Sequence, residues 1–157
     1  MQRTLARVGA AHSTFTGGYR VATGAGRHDA GAPPAVSSRV TTARDLGRIL
    51  FLLHAGAVGD RDALRTLGLR RAEASHALGL LLDSEPDGDN VGLLRPALPA
   101  TTPAAQKHGW FSLVRHTAAV VYEPSGPKIV VVLTYRDGLT LAAAQTYARS
   151  VVRALAD

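Results

Sequence analysis

Six histidines, two lysines and no cysteine set the chemistry open to this 157-residue chain. A metal site needs donors at short spacing, but His108 and His116 are far apart and no His-x-His or His-x-x-x-His pair occurs. No metal or other cofactor is expected. Without cysteine, neither thiol chemistry nor a disulfide framework is open. Ser112, His116 and Asp137 could be written as a nucleophilic triad, yet triads are recognised by geometry, and nothing in this spacing supports one. The glycines from Gly17 to Gly26 contain neither Gly-x-Gly-x-x-Gly after a strand nor Gly-Lys-Ser/Thr, so they read as a loop rather than a phosphate cradle. His54 and His76 fall at helix positions and read as partly exposed or hydrogen-bonded. His116 reads as a satisfied strand histidine.

The elements that position these residues follow from apolar spacing. Residues 10–40, punctuated by Gly17, Gly18, Gly24, Gly26, Gly31, Pro33 and Pro34, read as a long loop or as a segment that has lost its neighbours, so residues 1–40 are expected to form a loop-rich N-terminal segment of the same domain. Thr42 and Asp45 form a helix start signal, and Ala43, Leu46, Ile49, Leu50 and Leu53 give one apolar stripe ended by Gly56 and Gly59. A short helix fits Asp60 to Leu67, with Asp60 as cap and Gly68 as stop. A third fits Arg71 to Leu82, with Ala74, Leu78, Leu81 and Leu82 facing inward. A Pro-rich loop from Pro86 to Pro103 follows. Residues 105–111, 113–122 and 128–135 read as strands, the last a β-branched run suited to burial on both faces. Ser125-Gly126-Pro127 suits a tight hairpin. A final helix from Thr140 to Leu155 presents Leu141, Ala144, Ala148, Val151, Val152 and Leu155 to the sheet. Helices, loop, three antiparallel strands and a last helix make an α+β arrangement.

The length suggests a single domain. With 46% hydrophobic and 19% charged residues, the chain sits in the globular range. No run approaches the roughly 20 apolar residues of a membrane span. Arg3 and Arg7 are not followed by the apolar run of a secretory signal. The net charge of +6 is almost all arginine. Arg44/Arg48 and Arg61/Arg65 lie one helical turn apart, but no aromatic residues interleave them as a single-strand nucleic-acid surface would require. The arginine, alanine and glycine bias reads as coding composition, and no nucleic-acid partner is expected.

Three blocks then resemble the class A β-lactamases and related penicillin-binding-type serine hydrolases. The first is Thr41-Thr42-Ala43-Arg44-Asp45-Leu46 at a helix start. The second is Gly88-Asp89-Asn90 followed by Leu93, Leu94 and Leu98-Pro99, similar to a loop approaching the active-site strand. The third, Lys107-His108-Gly109-Trp110, opens a strand and is similar to the family's Lys-Thr-Gly motif in a Lys-His-Gly form. The resemblance covers about residues 40–155. It implies a β-lactamase-like α+β fold in which residues 41–157 are the C-terminal part of the hydrolase domain. It also implies hydrolysis of a β-lactam or related amide through an acyl-serine, in a family that generally works outside the cytoplasmic membrane.

The resemblance assigns substrate binding to four residues. Lys107 would hold a substrate carboxylate. His108 would stand where the motif threonine hydrogen-bonds substrate, with more bulk and a titrating charge. Gly109 would let the strand backbone approach the substrate. The backbone at Trp110 would line the same site, although the side chains of Trp110 and Phe111 read first as packing residues and second as a substrate wall.

The family's nucleophile, the serine of Ser-x-x-Lys, has one literal match, Ser125-Gly126-Pro127-Lys128. Its Gly-Pro turn and its place after Lys107 argue against that role. No Ser-x-Asn or Glu-x-x-Leu-Asn segment is present either. The expectation is therefore a truncated domain, inactive alone. A second polypeptide would supply the missing N-terminal half, and residues 128–135 would expose an apolar edge. A noncatalytic module for an anionic or cell-wall peptide ligand is the alternative from another class. A degenerate gene product is the third.

Overall fold

A computed structural model of the protein describes residues 2–15, 39–83, 92–111 and 114–156. The Gly17–Pro34 punctuation, the Gly88-Asp89-Asn90 block and Ser112 lie outside the described residues. The helices are α1 (Gln2–Arg7), α2 (Ala43–Ala57), α3 (Arg61–Leu67), α4 (Arg71–Leu82) and α5 (Leu141–Ala156). Thr14–Phe15 (β1) pairs with Arg39–Val40 (β2). The main sheet contains β3 (Ala104–Phe111), β4 (Val114–Glu123) and β5 (Gly126–Tyr135), antiparallel in the order β3-β4-β5. This is the expected α+β arrangement of helices, antiparallel sheet and covering C-terminal helix.

The helix signals act as their chemistry requires. Thr42 caps α2, its hydroxyl accepting the Asp45 N–H at 3.1 Å. In a capping box the acidic side chain would bond back to the cap backbone. Here Asp45 instead accepts the His12 N–H at 2.8 Å and the Ser13 hydroxyl at 2.7 Å, clasping the N-terminal segment to α2. Asp60 caps α3 through the Asp62 and Ala63 N–H groups. Gly68 ends that helix in a left-handed conformation.

Three cores hold the layers together. On one face of the sheet, Ala119, Val121, Val130 and Val132 pack with Ala144 and Ala148 of α5 and with Leu93 and Leu94. On the other, Ala105 and Val120 meet Leu50 of α2 and Leu78 of α4. A third core joins Val8 and Ala10, Leu52 and Ala55 of α2, and Ala63 of α3. Each fully buried leucine contributes about 1.5–3 kcal/mol relative to exposure. Helix α2 is thus wedged between two cores, which is why Leu52 is buried although it lies off the single stripe expected. Leu82 and Leu141, expected inside, are exposed.

Register fixes which backbone groups face outward. One step before the Ala104–Val121 pair, Pro103 accepts the Tyr122 N–H at 2.9 Å. Hydrogen-bonded and non-hydrogen-bonded pairs alternate in an antiparallel ladder. The backbone of Lys107 and Gly109 therefore bonds to β4, while the N–H and C=O of Ala104, Gln106, His108 and Trp110 point off the outer edge of β3. By the same alternation Pro127, Ile129, Val131 and Leu133 turn their backbone away from β4 at the other edge. Pro127, which has no N–H, sits where no ladder bond to β4 is lost.

Candidate functional site

Lys107 is exposed on the sheet face that carries Ala105. Its ammonium bends over the strand and donates to the backbone oxygen of His108, one of the outward-pointing carbonyls. The positive charge is thereby set on the outer edge of β3, and no other strand covers that edge among the described residues. A Cβ at Gly109 would meet nothing within 4 Å, so the chain's own packing does not demand glycine there. The Trp110 ring is 51% exposed rather than packed inside. The Arg115 guanidinium lies 5.1 Å from its centroid, a cation–π contact across the strand pair.

His108 points to the opposite face from Lys107. It is 6% exposed, and its Nδ1 lies 3.1 Å from the Thr117 hydroxyl. The same hydroxyl accepts the Leu93 N–H at 2.9 Å. Burial is the main cause holding the His108 imidazole below the ordinary histidine range. The His116 backbone carbonyl pulls the other way, and the charges of Lys107, Arg115 and His116 add to the depression. His116 is also lowered, again mainly by burial, and its Nδ1 accepts the Thr134 N–H at 3.2 Å, as a satisfied strand histidine should. The motif therefore splits across the sheet: Lys107 and Gly109 lie on the face toward α2 and α4, and the His108 and Trp110 side chains lie on the face toward α5.

The remaining candidates fall elsewhere. Ser125 is exposed in the Pro124–Ser125 turn between β4 and β5, and Lys128 forms an ion pair with Glu123. Asp137 is exposed in the turn after β5. His54 lies 3.3 Å from the Tyr122 hydroxyl, and His76 is exposed. Among the described residues no three His, Cys, Asp or Glu side chains gather as a metal site, and no helix is long and apolar enough to cross a membrane. Thr117 is the site residue that sequence reading missed. The available signal was its register, opposite His108 across the hairpin.

Comparison with known proteins gives this arrangement a context. All of residues 1–157 match the profile of a group described as the beta-lactamase enzyme family. No curated protein matches the chain significantly. Among solved structures it is similar to PBP-A, at 15% identity and a TM-score of 0.67, over 99% of this chain and 50% of that one. A β-lactamase from Sphaerobacter thermophilus DSM 20745 aligns at 17% identity and a TM-score of 0.67, over 98% of this chain and 50% of that one. A β-lactamase from Streptosporangium roseum aligns at 20% identity and a TM-score of 0.65, over 99% and 53% of the two chains. The chain thus spans about half the length of these structures. A variant of PBP-A has been solved as an acyl-enzyme complex with penicillin-G.

Proposed function

The chain belongs to the beta-lactamase enzyme family, and from that premise we propose that it forms the substrate-binding portion of a serine hydrolase acting on a β-lactam or related amide. Lys107 holds the substrate carboxylate. The outward backbone of His108 and Trp110 receives the amide as an added strand segment. The Trp110 N–H is oriented to donate to a carbonyl oxygen as it becomes anionic. The observation that carries this reading is the Lys107 ammonium lying on the outer edge of β3, over the outward His108 carbonyl. The Gly109 position, which the chain's own packing leaves open, supports close approach by a ligand.

Acyl transfer needs a nucleophile. Ser125 is fixed in a hairpin turn, and in this reading the acylated serine lies outside residues 1–157. The test uses a fluorescent penicillin on the purified chain and on Lys107→Ala, read by intact mass and by amide resonances. Reversible shifts at residues 108–110 that Lys107→Ala abolishes, with no covalent adduct, are expected. A stoichiometric adduct on one serine would place the nucleophile inside this chain. Unchanged resonances at residues 108–110 would overturn the binding role.

The second reading, a noncatalytic module for an anionic or cell-wall peptide, is favoured by the outward β3 backbone itself, which suits strand addition without any chemistry. Adding a polypeptide that carries the Ser-x-x-Lys half separates the two. Penicillin turnover on mixing supports the hydrolase. Peptide binding with no turnover supports the module.

A further inference from the structure

Thr117 is completely buried on β4, and its hydroxyl joins the Leu93 backbone to the His108 ring. It lies opposite His108 in a non-hydrogen-bonded pair, the closer of the two cross-strand geometries. A hydroxyl has one proton and two lone pairs. One lone pair takes the Leu93 N–H at 2.9 Å. Either the proton or the second lone pair serves His108 Nδ1 at 3.1 Å.

The turn that carries Leu93 is shaped to sit on this hydroxyl. Gly92 has φ +64°, and a Cβ there would lie 2.8 Å from Thr117 Oγ1 and 3.3 Å from the His108 Cβ. On its far side, Gln145 of α5 donates to the Gly92 carbonyl at 3.3 Å. A continuous connection thus runs from α5 through the Gly92–Leu94 turn and Thr117 to His108. It ends at the His108 backbone oxygen, which receives the Lys107 ammonium.

We propose that Thr117 is a positioning residue for the ligand edge of β3: its hydroxyl locks His108 to the Gly92–Leu94 turn and so fixes where the Lys107 ammonium stands. This deepens the binding role given above and rests on it for the ligand, though not for the lock itself. The chain contacts a ligand through Lys107 and the outward backbone, whereas Thr117 acts only through His108.

Thr117→Val keeps the side-chain shape and removes the hydroxyl, Thr117→Ser keeps the hydroxyl, and Gly92→Ala displaces the turn with Thr117 intact. Amide exchange is read first, without ligand. In Thr117→Val, exchange at Leu93 and at Lys107 and Gly109, whose N–H groups bond to β4, should quicken together by about tenfold, with Thr117→Ser close to the parent. Benzylpenicillin affinity should fall about tenfold in Thr117→Val and recover in Thr117→Ser. If Thr117→Val does not fold, Gly92→Ala is read for the same joint change at Leu93, Lys107 and Gly109.

Faster exchange confined to Leu93, or a Thr117→Ser that behaves like Thr117→Val, overturns the lock. So does a Gly92→Ala that leaves Lys107 and Gly109 unchanged. If the parent chain binds no benzylpenicillin, the binding role fails, while the exchange pattern still decides the lock.

Discussion

The Oδ2 atom of Asp45 stands 2.7 Å from the Ser13 hydroxyl, although the two residues are 32 positions apart. Asp45 is 2% exposed and also accepts the His12 N–H, while Ser13 lies 2.8 Å from the Thr41 hydroxyl. The helix-start signal at Thr42 therefore doubles as an anchor for the N-terminal segment. Asp45→Ala removes the acceptor shared by the His12 N–H and the Ser13 hydroxyl, so a loss of about 2 kcal/mol in urea unfolding is expected. Ser13→Ala should cost about 1 kcal/mol, and the double variant less than the sum, because both substitutions remove one shared bond.

Stability should fall on mild acidification. Both His108 and His116 are held below their ordinary value of 6.5, chiefly by burial. Between the depressed folded values and 6.5 the unfolded chain binds more protons than the folded one, so stability rises with pH across that window. It is fully present above 6.5 and lost as pH falls through the folded values. Urea midpoints measured between about pH 7.5 and pH 5 should decline, and His108→Gln with His116→Gln should flatten the decline. An unchanged slope in the double variant would assign the effect to other groups.

Ser125→Ala should be silent. Ser125 is exposed in a two-residue turn. Its removal should change stability by no more than about 0.5 kcal/mol and leave reversible penicillin binding intact. Loss of a penicillin adduct in this variant alone would reverse the assignment of the turn as purely structural.

The outer backbone of β5 is flanked by Ile129, Val131 and Leu133, an apolar run with no outward charge. Edges of this kind are normally blunted by charge. Leu133→Lys should slow the growth of light scattering in concentrated solutions, with circular dichroism confirming that the fold is retained. Equal scattering in the two proteins would exclude this edge as the route of self-association.

Much of the fold was legible because its signals are local. Helix α4 begins and ends at the residues its spacing predicts, and Asp60 and Gly68 bracket α3 as cap and stop. Helix α1 was not legible: Gln2–Arg7 is six residues long, contributes no buried residue, and is followed by the Val8 and Ala10 that do the packing. The wedge position of α2 likewise hides Leu52 from any reading based on one stripe. At the candidate site, the motif singled out Lys107 and Gly109 as candidates. The inward turn of His108 and the partner role of Thr117 depend on strand parity, which becomes definite only when the β3–β4 register is known.

That register also orders events in time. Every pairing in the β3–β4–β5 meander joins neighbouring strands through a short connection, so little loop-closure entropy opposes it. The Asp45–Ser13 clasp must close a far longer stretch of chain before it gains its bonds. The sheet should therefore assemble early and the N-terminal segment dock late, giving substitutions at Asp45 their main effect on the unfolding rate rather than the folding rate.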